Sequence, residues 1–159
     1  MDIKYEFRDL AKVKALADRA PDVFLRNMIT AAKVATRAVQ GTARAKHKFR
    51  SQSGLTELAI ETDVRTNGQE GVVGEVSLND AVSPYGRFLH DGAKPHVIAP
   101  RKKKALRWPA GGGFRFAMKV MHPGTKPDPF IYSAGEANQA NINEIFNRYV
   151  DRAAKEVNR

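Results

Sequence analysis

PDVFLRNMITAAKVATRAVQGTARAKHK, residues 21–48, is the stretch on which the fold turns. Its apolar positions Phe24, Met28, Ala31, Ala35, Ala38 and Thr42 recur every three or four residues, which places them on one face of a helix. Arg26, Lys33, Arg37 and Arg44 fall on the opposite face. Pro21 suits a first helical turn, where its missing N–H costs nothing, so residues 7–20 read as a separate, shorter helix leading in. At 1.5 Å per residue the main helix would be about 40 Å long. Gly41 is the point at which it would kink or shorten, at a cost of about 1 kcal/mol relative to Ala.

Downstream of Ser53-Gly54 the repeat changes from helical to two-residue. Leu58, Ile60, Thr62 and Val64 alternate with Glu61, Asp63 and Arg65, the pattern of a half-buried strand. Asn67-Gly68 is a hairpin turn signal, and residues 72–78 complete the hairpin. Phe114, Phe116, Met118 and Val120 predict another strand, paired with residues 105–108 through a Gly111-Gly112-Gly113 turn.

Asp128-Pro129 reads as an N-cap followed by proline at the first helical position. The stripe Ile142, Ile145, Phe146, Tyr149, Ala153 and Val157 then predicts one amphipathic C-terminal helix over 129–157. The expectation is a single α+β domain over residues 1–159: helical at 8–48, sheet and loops at 54–126, and a C-terminal helix. An antiparallel sheet would pack against the helices at both ends.

No run of 18 or more apolar residues occurs, and the opening MDIKYEFRDL is not a basic-then-apolar leader. The expectation is an unsecreted chain made in a cytoplasm, without membrane contact. With no cysteine, disulfides, thiolate zinc sites and thiol nucleophiles are excluded, leaving packing or oligomerisation as the source of stability.

The net charge of +10 is zoned. Residues 1–50 carry +7, residues 51–83 carry −5, residues 84–126 carry +9 and residues 127–159 carry −1. Such zoning suits nucleic acid and equally suits subunits that meet acidic surfaces on their neighbours. Arg101, Lys102, Lys103 and Lys104 are four adjacent cations able to hold phosphates without reading sequence, and no aromatic residue interleaves them as a single-strand platform requires.

His90, Asp91, His96 and His122 have the ligand chemistry of a zinc or iron site. Each lies in turn chemistry, in His90-Asp91-Gly92, Pro95-His96 and His122-Pro123-Gly124, so backbone bonding within loops is the better account and no metal is expected. No nucleophile elbow or phosphate loop is present, and the carboxylates of residues 51–83 read as a solvated strand face, so neither enzyme nor cofactor is expected.

Three strings occur in order: Tyr85-Gly86-Arg87-Phe88-Leu89-His90-Asp91-Gly92-Ala93-Lys94-Pro95-His96-Val97-Ile98, then Lys104-Ala105-Leu106-Arg107-Trp108, then Val120-Met121-His122-Pro123-Gly124-Thr125-Lys126-Pro127-Asp128-Pro129-Phe130. Together with the long N-terminal helix and the helix led by Pro129-Phe130, they resemble the head-to-tail joining, or minor tail component, family of long-tailed bacteriophages. Many members carry a Glu-x-Gly-Thr string where this chain has His90-Asp91-Gly92-Ala93. The resemblance implies a virion protein of tail terminator or tail completion type, in a hexameric ring that caps the tail tube and meets the neck. Tyr85, His90, Asp91, Gly92, Pro95, His96, His122, Pro123, Gly124, Pro129 and Phe130 would then supply loops between subunits. The 101–104 run would face genomic DNA in the lumen or a neighbouring neck or tail tube protein, with no small-molecule substrate. The alternative is a basic nucleic-acid-binding protein that contacts the phosphate backbone without sequence readout.

Overall fold

The computed structural model describes residues 8–67 and 71–158, and its centre is the 25-residue helix α2 (Pro21–Ala45). The shorter helix α1 (Leu10–Arg19) precedes it, its first turn capped by the Asp9 carboxylate accepting from the Lys12 amide at 3.0 Å. Phe7, the expected start of that helix, lies outside the described residues. α2 runs unbroken through Gly41, which is exposed on the side away from the core.

The buried face of α2 is wider than the expected stripe and rotated from it. Met28, Ala31, Ala32, Ala35, Thr36, Val39 and Ala43 are buried, whereas Ala38 and Thr42 are half-exposed. The reason is that α2 is covered on two sides, by helix α6 (Gln139–Val157) and by the hairpin of β1 (Ile60–Asn67) with β2 (Gly71–Leu78). Small side chains allow that double contact. A Cβ on Gly74 would stand 2.8 Å from Thr36 Cγ2, so a larger residue there would push the hairpin off the helix. Gln40 and Arg44 both donate to the Ile60 carbonyl, at 2.6 and 2.8 Å, fixing the start of β1 on α2. Arg44 therefore does not share the solvated face with Arg26, Lys33 and Arg37.

Within the β1–β2 hairpin, Ile60 is buried, Thr62 and Val64 are half-buried, and Glu61, Asp63 and Arg65 face solvent. The turn at Gly68 lies outside the described residues. Leu58 does not begin this strand. It ends a helical turn, α3 (Leu55–Leu58), and is 62% exposed. The buried hydrogen bond between the hydroxyls of Thr56 and Ser83, 3.1 Å, holds that turn in place and overrides the alternation.

Two further departures concern the sheet and the C-terminal helix. Among the described residues the strands form three separate two-stranded ladders and no common sheet, and β1–β2 is the pair that packs on α2. The C-terminal segment is two helices, α5 (Phe130–Ala137) and α6, parted at Asn138. The Asn138 amide donates to Thr42 Oγ1 and to the Ala134 carbonyl, both at 2.8 Å, a tertiary bond that a continuous helix would forgo. Asp128 does not cap α5. Its carboxylate accepts from the amides of Lys48 (2.5 Å) and Phe49 (3.1 Å), just beyond the end of α2.

The stripe of α6 behaves as its spacing predicts. Ile142, Ile145, Phe146, Val150 and Ala153 are buried in the core beside α2, with Tyr149 and Val157 at its edge. Exposed ion pairs flank the contact: Lys12–Asp151 at 2.5 Å and Arg26–Glu156 at 2.8 Å. The hydrogen bond from Lys12 holds the Asp151 carboxyl below its usual range, and the one from Arg26 does the same for Glu156. Such pairs are screened, so burial dominates the stability of the helix pair. Among the described residues no helix is long and apolar enough to cross a membrane.

Phe146→Ala, which empties a site only 4% exposed, is expected to lower unfolding free energy by about 3 kcal/mol or more. Urea denaturation followed by circular dichroism measures it; an unmoved midpoint would remove α6 from the core.

Candidate functional site

The first and third motif strings, far apart in sequence, run antiparallel to each other. Leu89 accepts from the Asp128 amide at 3.0 Å, and Ala93 and Thr125 exchange both backbone bonds, at 2.9 and 2.8 Å. Strand β3 (His96–Ile98) then pairs with β6 (Val120–His122) in the register His96↔His122, Val97↔Met121, Ile98↔Val120. Glycine is required at the crossing. Gly92 has φ +81 and Gly124 φ +90, and a Cβ on Gly124 would collide with the Ala93 carbonyl oxygen.

The same excursion continues as β4 (Leu106–Ala110) paired with β5 (Gly113–Ala117), turning at Gly111 and Gly112, both of positive φ. Between the two ladders one strand carries residues 99–105 while the other carries only residues 118–119. Arg101, Lys102, Lys103 and Lys104 lie in that excess and are all exposed, so mutual repulsion of the four ammonium and guanidinium groups is relieved by solvent. Residues 93–125 thus make a long two-part arm. β4 and β5 pack on each other and on no other element to a comparable extent.

The alternation expected from Phe114 to Val120 breaks between the ladders: β5 ends at Ala117, Met118 lies in a bend and Val120 belongs to β6, while Phe114, Phe116 and Met118 are 55%, 65% and 69% exposed. The register puts Phe114 opposite Pro109 and Phe116 opposite Arg107, on one face of the ribbon, and the Arg107 guanidinium sits 4.1 Å over the Phe114 ring. Trp108 and Arg115 pair on the other face. Although no aromatic residue interrupts the 101–104 run, the hairpin beyond it does alternate aromatic and cationic residues. The signal for this apolar strip was present in the two-residue repeat; its exposure was not.

The remaining candidate residues divide by burial. Tyr85 is 75% exposed, and Asp91, Pro95, His96, Pro123 and Pro129 are exposed as well, while Gly92, His122 and Gly124 are half-buried within the crossing. Phe130 is fully buried and His90 is 7% exposed, so both serve the core of their own chain and present no surface to a neighbour. His90 lies edge-on to Phe130 and Tyr132, with ring centroids at 5.2 and 4.7 Å, and bonds through Nδ1 to the Asp91 carboxylate at 2.7 Å.

His96 and His122 stack across the β3–β6 ladder with ring centroids 5.0 Å apart. Their Nδ1 atoms are engaged locally: His96 donates to the Lys94 carbonyl at 2.9 Å, and His122 accepts from the Gly124 amide at 3.1 Å. That acceptor role leaves the proton of neutral His122 on Nε2, the opposite of what a metal bound there needs. Among the described residues no three histidines or carboxylates gather as a metal site. A groove of about 580 Å³, lined by Lys12, Asp151, Ala154, Lys155 and Asn158, lies along α1 and α6, remote from the motif strings.

Comparison with models of protein families, with curated proteins and with solved structures finds no match for this chain.

Gly124→Ala is expected to break the Ala93–Thr125 crossing, detectable as faster amide exchange at residues 93 and 125 than in the wild type. Asp128→Ala, which strips two amides of their acceptor, is expected to cost about 2 kcal/mol in the same urea titration used for the core.

Proposed function

We propose that the chain is a structural subunit of a bacteriophage virion, one copy of a ring, hexameric in the related architecture, at the neck or tail terminus. There it caps the tail tube and joins it to the head, with neck and tail tube proteins as neighbours and genomic DNA passing through the lumen. The observation that carries this reading is the arm: the strings that resemble the tail-component family form its crossing and base, and between the second and third strings it carries Phe114 and Phe116, both exposed. An exposed strip of Phe114 and Phe116, with Met118 beside it, is the kind of surface that an assembly partner buries. The role calls for no catalysis.

Exposure of Arg101, Lys102, Lys103 and Lys104 favours a second reading, a basic protein that binds phosphate backbones as its main task. Cryo-electron microscopy of the assembled particle tests the first reading directly, with density for this chain as a closed ring between head and tail tube as the expected result. Its absence from the particle would refute it, and steeply salt-dependent duplex binding by the isolated monomer would then favour the second.

Replacing Arg101, Lys102, Lys103 and Lys104 together by Ser is expected to leave the unfolding free energy within about 0.5 kcal/mol of the wild type, because exposed charges contribute little individually. Joining of heads to tails, or retention of packaged DNA, should fall. Complementation of infectious particle formation at the wild-type level would show that the run is only a solvated loop.

A further inference from the structure

The arm has a match elsewhere on the same molecule. Helix α3 is tied by the Thr56–Ser83 hydrogen bond to the turn that leads into helix α4 (Gly86–His90), and these segments expose Leu55 (48%), Leu58 (62%), Tyr85 (75%) and Phe88 (42%). Three exposed carboxylates belong to the same segments: Glu61, bonded to the Asn79 amide at 2.8 Å, Asp80 and Asp91; the cation among them, Arg87, is drawn over the Phe88 ring at 4.8 Å.

We propose that the β4–β5 arm of one copy docks on the α3–α4 face of the next copy. Phe114 and Phe116 would cover Leu58 and Tyr85 while Arg101, Lys102, Lys103 and Lys104 approach Glu61, Asp80 and Asp91. The two patches are different surfaces of one chain, so the contact is head-to-tail, and repetition through a closing rotation generates a ring. The complementary fields also set the direction in which copies add. Duplex DNA is the poorer occupant of the arm, since phosphates would pair with the cations but leave the Phe114–Phe116 strip wet. This contact rests on the ring reading and names the surfaces that close it.

A head-to-tail contact makes a specific demand on mixtures. An arm variant (Phe114→Ser with Phe116→Ser) retains a good acceptor, and an acceptor variant (Leu58→Lys with Tyr85→Lys) retains a good arm. Both pairs are exposed, and circular dichroism with urea titration verifies that each variant folds. Light scattering on the eluting species should show the wild type self-associating and each variant weakened by about a hundredfold or more. An equimolar mixture of the two should give a species of twice 17.6 kDa and stop there, because one arm and one acceptor remain. If the wild type assembles and either variant does so equally well, or the mixture stays monomeric, the contact is overturned while the ring reading stands. A wild type that remains monomeric at every concentration removes self-assembly and this contact together. If the arm variant instead loses binding to a fluorescent single-stranded oligonucleotide with self-association unchanged, the strip is a base-stacking platform, and the contact is likewise overturned.

Discussion

Everything in this molecule leans on the close approach of α2 to two partners at once. Ala31, Ala32, Ala35 and Ala43 are almost completely buried, and their size lets α6 lie along one flank while the β1–β2 hairpin lies on another. Gly74 under Thr36, and the two side-chain bonds to the Ile60 carbonyl, belong to the same constraint. Larger residues at these positions would part the layers and expose Ile142, Ile145 and Phe146. Alanine is also the best helix former, so one choice of residue satisfies both local propensity and tertiary contact.

From that base the chain secures its loops with single polar residues. Asp128 holds the backbone just after α2, Asn138 interrupts the C-terminal helix to reach Thr42, and Thr56 reaches Ser83. Each bond spans a long sequence interval. Buried polar groups of this kind are costly when unpaired, so they specify one arrangement of the loops. The crossing of the two motif strings at Gly92 and Gly124 is positioned this way, and it launches the arm from a firm footing.

The arm itself is built on the opposite principle. Its backbone is satisfied by its own ladders, yet its side chains find almost nothing in the rest of the chain to touch. A two-stranded ribbon with an apolar face is marginal alone. The proposed head-to-tail contact would give this face the cover that it lacks in the isolated chain.

Read by itself, the sequence determined the elements whose pattern is periodic and whose partner lies nearby. The helix from Pro21, the α6 stripe from Ile142 to Val157, the alternation of Ile60 to Val64 and the Gly111-Gly112 turn all follow from local geometry, and with them the α+β class. Only the tertiary structure decided matters that depend on distant residues. It rotated the buried face of α2, because two layers compete for it. It turned Leu58 into helix, gave Asp128 to the end of α2 and broke the last helix at Asn138, because a long-range hydrogen bond outweighed a local preference in each case. It also moved His90 and Phe130 from expected interface loops into the core. Above all, the Phe114–Phe116–Met118 repeat announced a face to be buried, but a repeat records only that a side chain prefers cover. Whether the cover is the same chain or another is a property of the fold, and here the fold leaves that face open.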